Sequence, residues 1–290
     1  MSLAIKPSYA GYMLTRMVSF LKSYFTGLTS DPRHVQIFIL STLCFLNHVI
    51  NPFSRVFVHF VTLIPVALII GILLIQVFPE YDKNRIKSLL ITTLSLSVLT
   101  SVNSLWMLPI ALSIAAGSKL LFRVNQQHFF NPANFAIVVL LMFGQGEIWI
   151  NHYQWTSGTA GIVGFSIMGA LLVTKCSRLG LLLTFIITAI LFESIRSWLV
   201  YEPLEIVFHQ FSRLSFVIFA FFMITDPRST PNHPYARTIF SIVLVSLGMF
   251  FKYFFFTADH WFYALFVTSL LTPVLNYHFK KEQFCWKTAR

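Results

Sequence analysis

An all-α integral membrane fold of about ten transmembrane helices is what this sequence predicts, and three observations carry the prediction. Hydrophobic residues make up 56% of the 290-residue chain and charged residues only 11%, where a soluble domain carries about 25% charge. The mean hydropathy is +0.73. Apolar runs follow one another from residue 35 to residue 278, and the loops between them divide Lys and Arg very unevenly. The 32 Phe residues suit lipid-facing and helix-packing surfaces.

Taken in order, residues 1–34 hold no uninterrupted apolar stretch of the kind a cleavable signal peptide needs. Leu14, Met17, Val18, Leu21, Tyr24, Phe25 and Leu28 recur there at helical spacing, with Arg16, Ser19, Lys22 and Ser23 between them. That pattern predicts an amphipathic helix on the cytoplasmic leaflet, with a docking helix for a partner subunit as the alternative. Residues 35–278 form one membrane domain with ten apolar spans. These are Val35–Ile50, Val56–Phe78, Ser88–Val102, Leu105–Phe122, Pro132–Gly144, Gly158–Thr174, Leu179–Val200, Leu204–Ile224, Thr238–Phe256 and Trp261–Tyr277. The third and fifth are short of the roughly 20 residues a full crossing needs, so they are upright, extended by flanking polar residues, or broken at the midplane. Residues 279–290 make a basic cytoplasmic tail.

With ten crossings, 17 of the 21 Lys and Arg fall on one side, and only Arg55, Arg196, Arg213 and Lys252 on the other. Both termini are then cytoplasmic. Topology and anionic lipid account for the net charge of +11, so no nucleic-acid partner is expected.

Two polar signatures stand out at helix ends. Asn131-Pro132-Ala133-Asn134 opens one span, with Pro as the first helical residue and two amides three residues apart on one face. Free backbone N–H groups at such an end suit a polar or anionic ligand. Thr225-Asp226-Pro227 closes another span, because Pro disfavours helix in the residue before it. Asp226 is read as a clamp for the following turn or a cap for Arg228 or Arg237, with a ligand contact as the sharper alternative.

Cys44, Cys176 and Cys285 lie far apart and lack paired spacing, so no metal cluster is expected from this chain alone. His48, His59, His209 and His260 fall near outer span ends, but no two share a helix at a haem-ligating spacing, and no haem is expected. His128 precedes the Asn-Pro signature and is the histidine placed to line whatever that signature binds. Among intramembrane ionisable residues, Glu193 and Arg196 share a helix face and can pair. Arg213 and Glu205 occupy the outer half of the eighth span. A structural ion pair and a proton or ion path are the two readings of this group. Lys252 is expected to snorkel outward.

The run from His128 to Leu141, His-Phe-Phe-Asn-Pro-Ala-Asn-Phe-Ala-Ile-Val-Val-Leu-Leu, resembles the Asn-Pro segment of the NqrB/RnfD family. Those are the large membrane subunits of the sodium-translocating NADH:quinone reductase and of the Rnf electron-transport complex. A second block is similar to the family's carboxy-terminal third in order and spacing. It comprises Phe219 to Pro227, Thr230-Pro231, Arg237 to Phe240 and Leu271 to Leu275. The likeness spans about Asp82 to Tyr277.

The resemblance implies two inverted five-helix repeats of urea-channel-like architecture and a non-covalent flavin, riboflavin or FMN, as redox cofactor. Asn131 and Asn134 match the family's flavin-contacting asparagines, with His128, Thr225 and Asp226 as companion candidates. An amide suits an isoalloxazine edge because it offers both a donor and an acceptor. Helix capping by Asn131 and helix packing by Asn134 is the plainer alternative. Relatives also esterify FMN to a threonine in a Ser-Gly-Ala-Thr-like sequence. Here only Ser157-Gly158-Thr159-Ala160 comes near, so Thr159 is a weak candidate and covalent FMN is not expected. Glycines that relatives place before the Thr-Asp-Pro block are replaced by Arg213, Leu214 and Phe219.

The expected role is therefore that of a membrane subunit of an Rnf/Nqr-like system in the bacterial cytoplasmic membrane. It would work beside other membrane or redox subunits, in contact with lipid and with quinone as a candidate acceptor. The chain offers no nucleotide-binding loop or soluble flavoprotein domain and is at most one subunit of an oxidoreductase. A channel or transporter on the same scaffold, or a structural anchor, are the alternatives.

Overall fold

The computed structural model describes residues 31–50, 55–77, 84–151, 159–211 and 213–284. The expected amphipathic segment lies almost wholly outside the described residues, as do Cys285, most of the tail and most of the stretch before Thr159.

Helix α1, Pro32–Ile50, starts where Asp31 receives the Arg33 backbone N–H at 3.0 Å and Pro32 takes the first helical position. Helix α2, Val56–Val77, leaves most of its length facing outward. Helix α3, Asn84–Leu99, is the opposite case, with Thr92, Thr93, Ser95 and Ser97 buried. The hydroxyls of Thr92, Thr93 and Ser97 each donate to the carbonyl four residues back, which satisfies them inside apolar surroundings.

The third expected span does not stay helical to Val102. Its last three residues form strand β1, Thr100–Val102, which pairs antiparallel with β4, Ile148–Ile150, so that Thr100 faces Ile150 and Val102 faces Ile148. Between them come α4 (Met107–Leu121), strands β2 (Arg123–Val124) and β3 (Gln127–His128), and α5 (Pro132–Phe143). β-Branched residues at the pairing positions favour extended backbone. The pairing also supplies hydrogen bonds where two short helices stop beneath an apolar surface. The β2–β3 hairpin turns through Asn125 and Gln126, both with positive φ (50° and 66°), as a two-residue primed turn requires.

The second half comprises α6 (Thr159–Lys175), α7 (Leu179–Leu199), α8 (Leu204–Phe211), α9 (Leu214–Ile218), a π turn (Phe219–Met223), α10 (Pro234–Phe254), α11 (His260–Ser269) and α12 (Leu271–His278). The eighth expected span is thus broken. α8 and the segment from Ser215 to Met223 meet at 60°. The tenth is divided at Leu270. By length and composition three helices, α2, α7 and α10, can cross a membrane, or four if the bent pair counts as one span. On α7 the exposed side chains Leu183, Ile187, Leu191 and Ile195 form an outward apolar stripe at four-residue spacing. The molecule is a multi-pass membrane protein.

Packing follows one scheme in both halves. α1 packs on α3, α2 on α3 and α4, and α4 on α5. Likewise α6 packs on α9 and the π turn, α7 on α8 and α10, and α10 on α11. The halves meet through α1 with α6 and α5 with α11. Where α6 meets the π turn, Gly169 permits the approach, since a Cβ there would lie 2.6 Å from the Phe221 ring.

Candidate functional site

Two polar regions lie toward opposite ends of α7 and α10. The first gathers the Asn-Pro and Thr-Asp-Pro signatures. Asn131 caps α5, its Oδ1 accepting from the Asn134 backbone N–H at 3.2 Å, while its Nδ2 donates to the Met223 carbonyl at 3.2 Å. That carbonyl sits at the end of the π turn, in which Ile224 N–H reaches back to Phe219 O. Asn134 Nδ2 donates to the Phe262 carbonyl at 3.2 Å, and its Oδ1 is buried without a partner.

Asp226 acts as a loop clamp. Its carboxylate accepts from the Arg228 backbone N–H at 3.1 Å and its carbonyl from Thr230 Oγ1 at 2.8 Å. Thr225 turns its hydroxyl back onto the Phe221 carbonyl. His128 is buried with Nδ1 3.1 Å from the Phe130 carbonyl, and burial pushes its imidazole down to about 4 despite nearby Asp226.

Two arginines finish this region: Arg178, expected only on the inner side, and Arg237, expected as a group for Asp226 to cap but bound to carbonyls instead. Arg178 is fully buried and donates to the carbonyls of Pro231 (3.0 Å) and Pro227 (2.7 Å). Burial, with the charge of Arg237 beside it, lowers its pKa to about 9, so it stays charged at neutral pH. Arg237 donates to Pro231 O, Asn232 O and Ser177 O. Lys119 is buried and bound to Ser88 and Thr92. A loop arginine looks the same in sequence whether it faces lipid headgroups or a ring of carbonyls, so no signal distinguished these two.

Lys119, His128, Asn131 and Asp226 border a cavity of only about 50 Å³. Ligand pockets run from roughly 300 Å³ upward. The amides expected to meet a flavin ring are engaged with backbone, and the space beside them holds a few waters at most. The Asn-Pro residues therefore do not fit an isoalloxazine ring.

The second region is a chamber of about 570 Å³ bounded by the ends of α7, α8 and α10, the starts of α9 and α11, and the π turn. Phe216, Phe219, Tyr253 and Trp261 give it ring faces, and Glu193, Arg196, Gln210, Arg213 and Lys252 give it polar ones. Glu193 and Arg196 do not pair as their spacing suggests. Glu193 instead meets Lys252 and accepts from Tyr253 Oη at 2.6 Å, while Arg196 pairs with Glu202 and lies 4.6 Å from the Tyr253 ring centroid. Lys252 thus turns inward to a buried carboxylate rather than snorkelling, because Glu193 is only 1% exposed and needs a counter-charge. His209 and His260 also border the chamber. His260 Nδ1 faces the Thr257 and Ala258 carbonyls. His48 stacks on Phe57, and His59 is buried with both ring nitrogens unpartnered.

Thr159 is the first residue of α6, and its side chain lies outside the described residues. Cys44 and Cys176 are free and buried. Among the described residues no group of three or more His, Cys, Asp or Glu could hold a metal ion.

Apolar and bent helices around two polar regions are those of a multi-pass membrane protein. Residues 146–285 match the model of the NQR2, RnfD, RnfE family. The match takes in the Thr-Asp-Pro block and the whole chamber lining, while Asn131 and Asn134 precede it. No curated protein matches the chain.

Proposed function

We propose that this chain is the membrane-embedded subunit of an Nqr/Rnf-type electron-transport assembly. It lies in the bacterial cytoplasmic membrane with both termini cytoplasmic, and passes electrons between partner subunits with a non-covalent riboflavin or FMN as cofactor and quinone as a candidate acceptor. The family match over residues 146–285 carries the reading. The recurrence of one packing scheme in residues 32–143 and 159–278 supports the two-repeat architecture that the family implies. The charge asymmetry supports ten crossings and the orientation. The flavin supplies one- and two-electron chemistry when bound. The chain's own residues bind its ring and exclude water from it. Because the Asn-Pro cavity is too small, the larger chamber is the place for that ring.

The test is an absorbance and fluorescence spectrum of the detergent-purified full chain, followed by acid extraction. Extractable flavin with none left on the polypeptide is the expected result. A well-folded, colourless protein overturns the flavin part of the reading. Failure to co-purify with other membrane or redox subunits from its native membrane overturns the subunit part.

A further inference from the structure

We infer that the pocket between the end of α12 and the β2–β3 hairpin binds the phosphate headgroup of an anionic phospholipid, held by Lys280, Lys281 and Asn276. This site lies apart from both polar regions described above and does not depend on the electron-transport reading.

Size comes first. The pocket encloses about 200 Å³ and is bordered by Gln127, Asn232, Asn276, Tyr277, Lys280 and Lys281, among others. That is short of the roughly 300 Å³ at which sites for whole cofactors begin. A headgroup fits, while the rest of its molecule stays outside. Tyr277, Lys280 and Lys281 are exposed, so the mouth is accessible.

Hydrogen bonding decides the sign of the guest. The amide oxygens of the lining are already engaged. Asn276 Oδ1 accepts from the Asn232 backbone N–H at 2.9 Å, Gln127 Oε1 from Asn232 Nδ2 at 3.1 Å, and Asn232 Oδ1 from the Phe284 backbone N–H at 3.4 Å. Donors are what is left over. Among the described residues, Asn276 Nδ2 and the ammonium groups of Lys280 and Lys281 make no hydrogen bond or ion pair with another side chain or carbonyl. No Asp or Glu borders the pocket. Two cations and a spare N–H around one hollow, with the acceptors spent and no carboxylate present, suit phosphate oxygens, which take charge-assisted hydrogen bonds from such groups.

The source of the phosphate follows from the flank of α12. Leu270, Val274 and Tyr277 are all exposed and lie at positions i, i+4 and i+7, so they form one outward apolar stripe. The stripe ends at the pocket, whose rim Tyr277 shares. Tyrosine favours the level at which acyl chains give way to headgroups. A phospholipid with its phosphate in the pocket lays an acyl chain along this stripe, whereas free phosphate uses none of it. The ammonium of a zwitterionic headgroup would meet lysines and no carboxylate, so the preferred lipid is anionic.

The experiment is native mass spectrometry of the delipidated full chain released from detergent micelles, reading the first bound lipid. Dioleoylphosphatidylglycerol and dioleoylphosphatidylcholine are titrated separately. Phosphatidylglycerol should bind at least about fivefold more tightly. Lys280→Gln combined with Lys281→Gln should weaken it about thirtyfold, with the melting temperature unchanged because both side chains are exposed. Asn276→Asp keeps an acceptor for the Asn232 N–H but turns an anionic oxygen toward the guest, and should weaken binding at least about fivefold. Arg55→Gln lowers the net charge by the same amount at an exposed position that does not border the pocket, and should change nothing. Val274→Gln should cost about threefold by wetting the stripe. Equal binding of phosphatidylcholine, indifference to the lysine pair, or equal losses in Asn276→Asp and Arg55→Gln overturns the site. Displacement of phosphatidylglycerol by inorganic phosphate at matched concentration, or indifference to Val274→Gln, overturns the lipid in favour of a free anion.

Discussion

The two polar regions use similar residues to opposite ends. Around Asn131, Asp226 and Arg178, side chains reach backbone carbonyls and N–H groups, and about 50 Å³ of space remains. Around Glu193 and Lys252, side chains mostly reach one another, and more than ten times that space is left open. Polar groups spent on backbone fix loops, whereas polar groups paired with each other line a volume that stays hollow. A polar signature at a helix end is therefore poor grounds for locating a ligand until its partners are known.

Arg178→Met should sharpen this contrast most. It leaves the Pro227 carbonyl without its side-chain donor and the Pro231 carbonyl with Arg237 alone, in a buried loop, at a cost of about 2–4 kcal/mol. Thermal melting in micelles should register a large drop, while ring binding in the chamber weakens little in the protein that remains folded. Gly248→Ala acts at the other region. A methyl group 2.7 Å from Trp261 must move that ring, costing about 1–3 kcal/mol, and here ring binding and tryptophan emission should both change.

His128 gives the first region a pH dependence. Its pKa falls from 6.5 when exposed to about 4 when buried, so the unfolded chain takes up its proton first. The sign follows. Above 6.5 the histidine contributes no pH dependence, and stability declines as pH falls from 6.5 toward 4, by at most about 1.4 kcal/mol per pH unit. His128→Gln should flatten a denaturation series over that window, and an unchanged slope would show that other groups set it. The smallest effect is expected at Arg196→Gln. The Arg196 and Glu202 side chains are 32% and 36% exposed, so solvent screens this pair and its loss should barely move a chemical-denaturation midpoint. A clear drop in that midpoint would mean that the contact of Arg196 with Tyr253 carries more than the ion pair does.

Much of this was legible beforehand. Eight of the ten spans have a helix within a few residues of the expected ends, because hydropathy and the Pro signal at Pro132 mark where helices begin. Thr100-Ser101-Val102 was misread as helix because a strand of three residues has no periodicity to show, and its partner lies 46 residues on. The 60° bend between α8 and the segment from Ser215 to Met223 was hidden for a related reason, since an apolar run reads as continuous even where its helices change direction. At the candidate site, the residue types were visible but their partners were not. Glu193 and Arg196 share a face, yet tertiary packing gave each a different counter-charge.

The π turn at Phe219–Met223 carries one more residue per hydrogen-bonded ring than an α-helix does. Deleting Ala220 would let the segment rewind and rotate everything beyond it by about 100°. Phe216 would stay where it is while Met223 and Thr225 swung to another face of the helix. One residue of slack therefore works as a phase shifter between two stretches of a single crossing. Any homologue that keeps both regions should keep that insertion or compensate for it nearby.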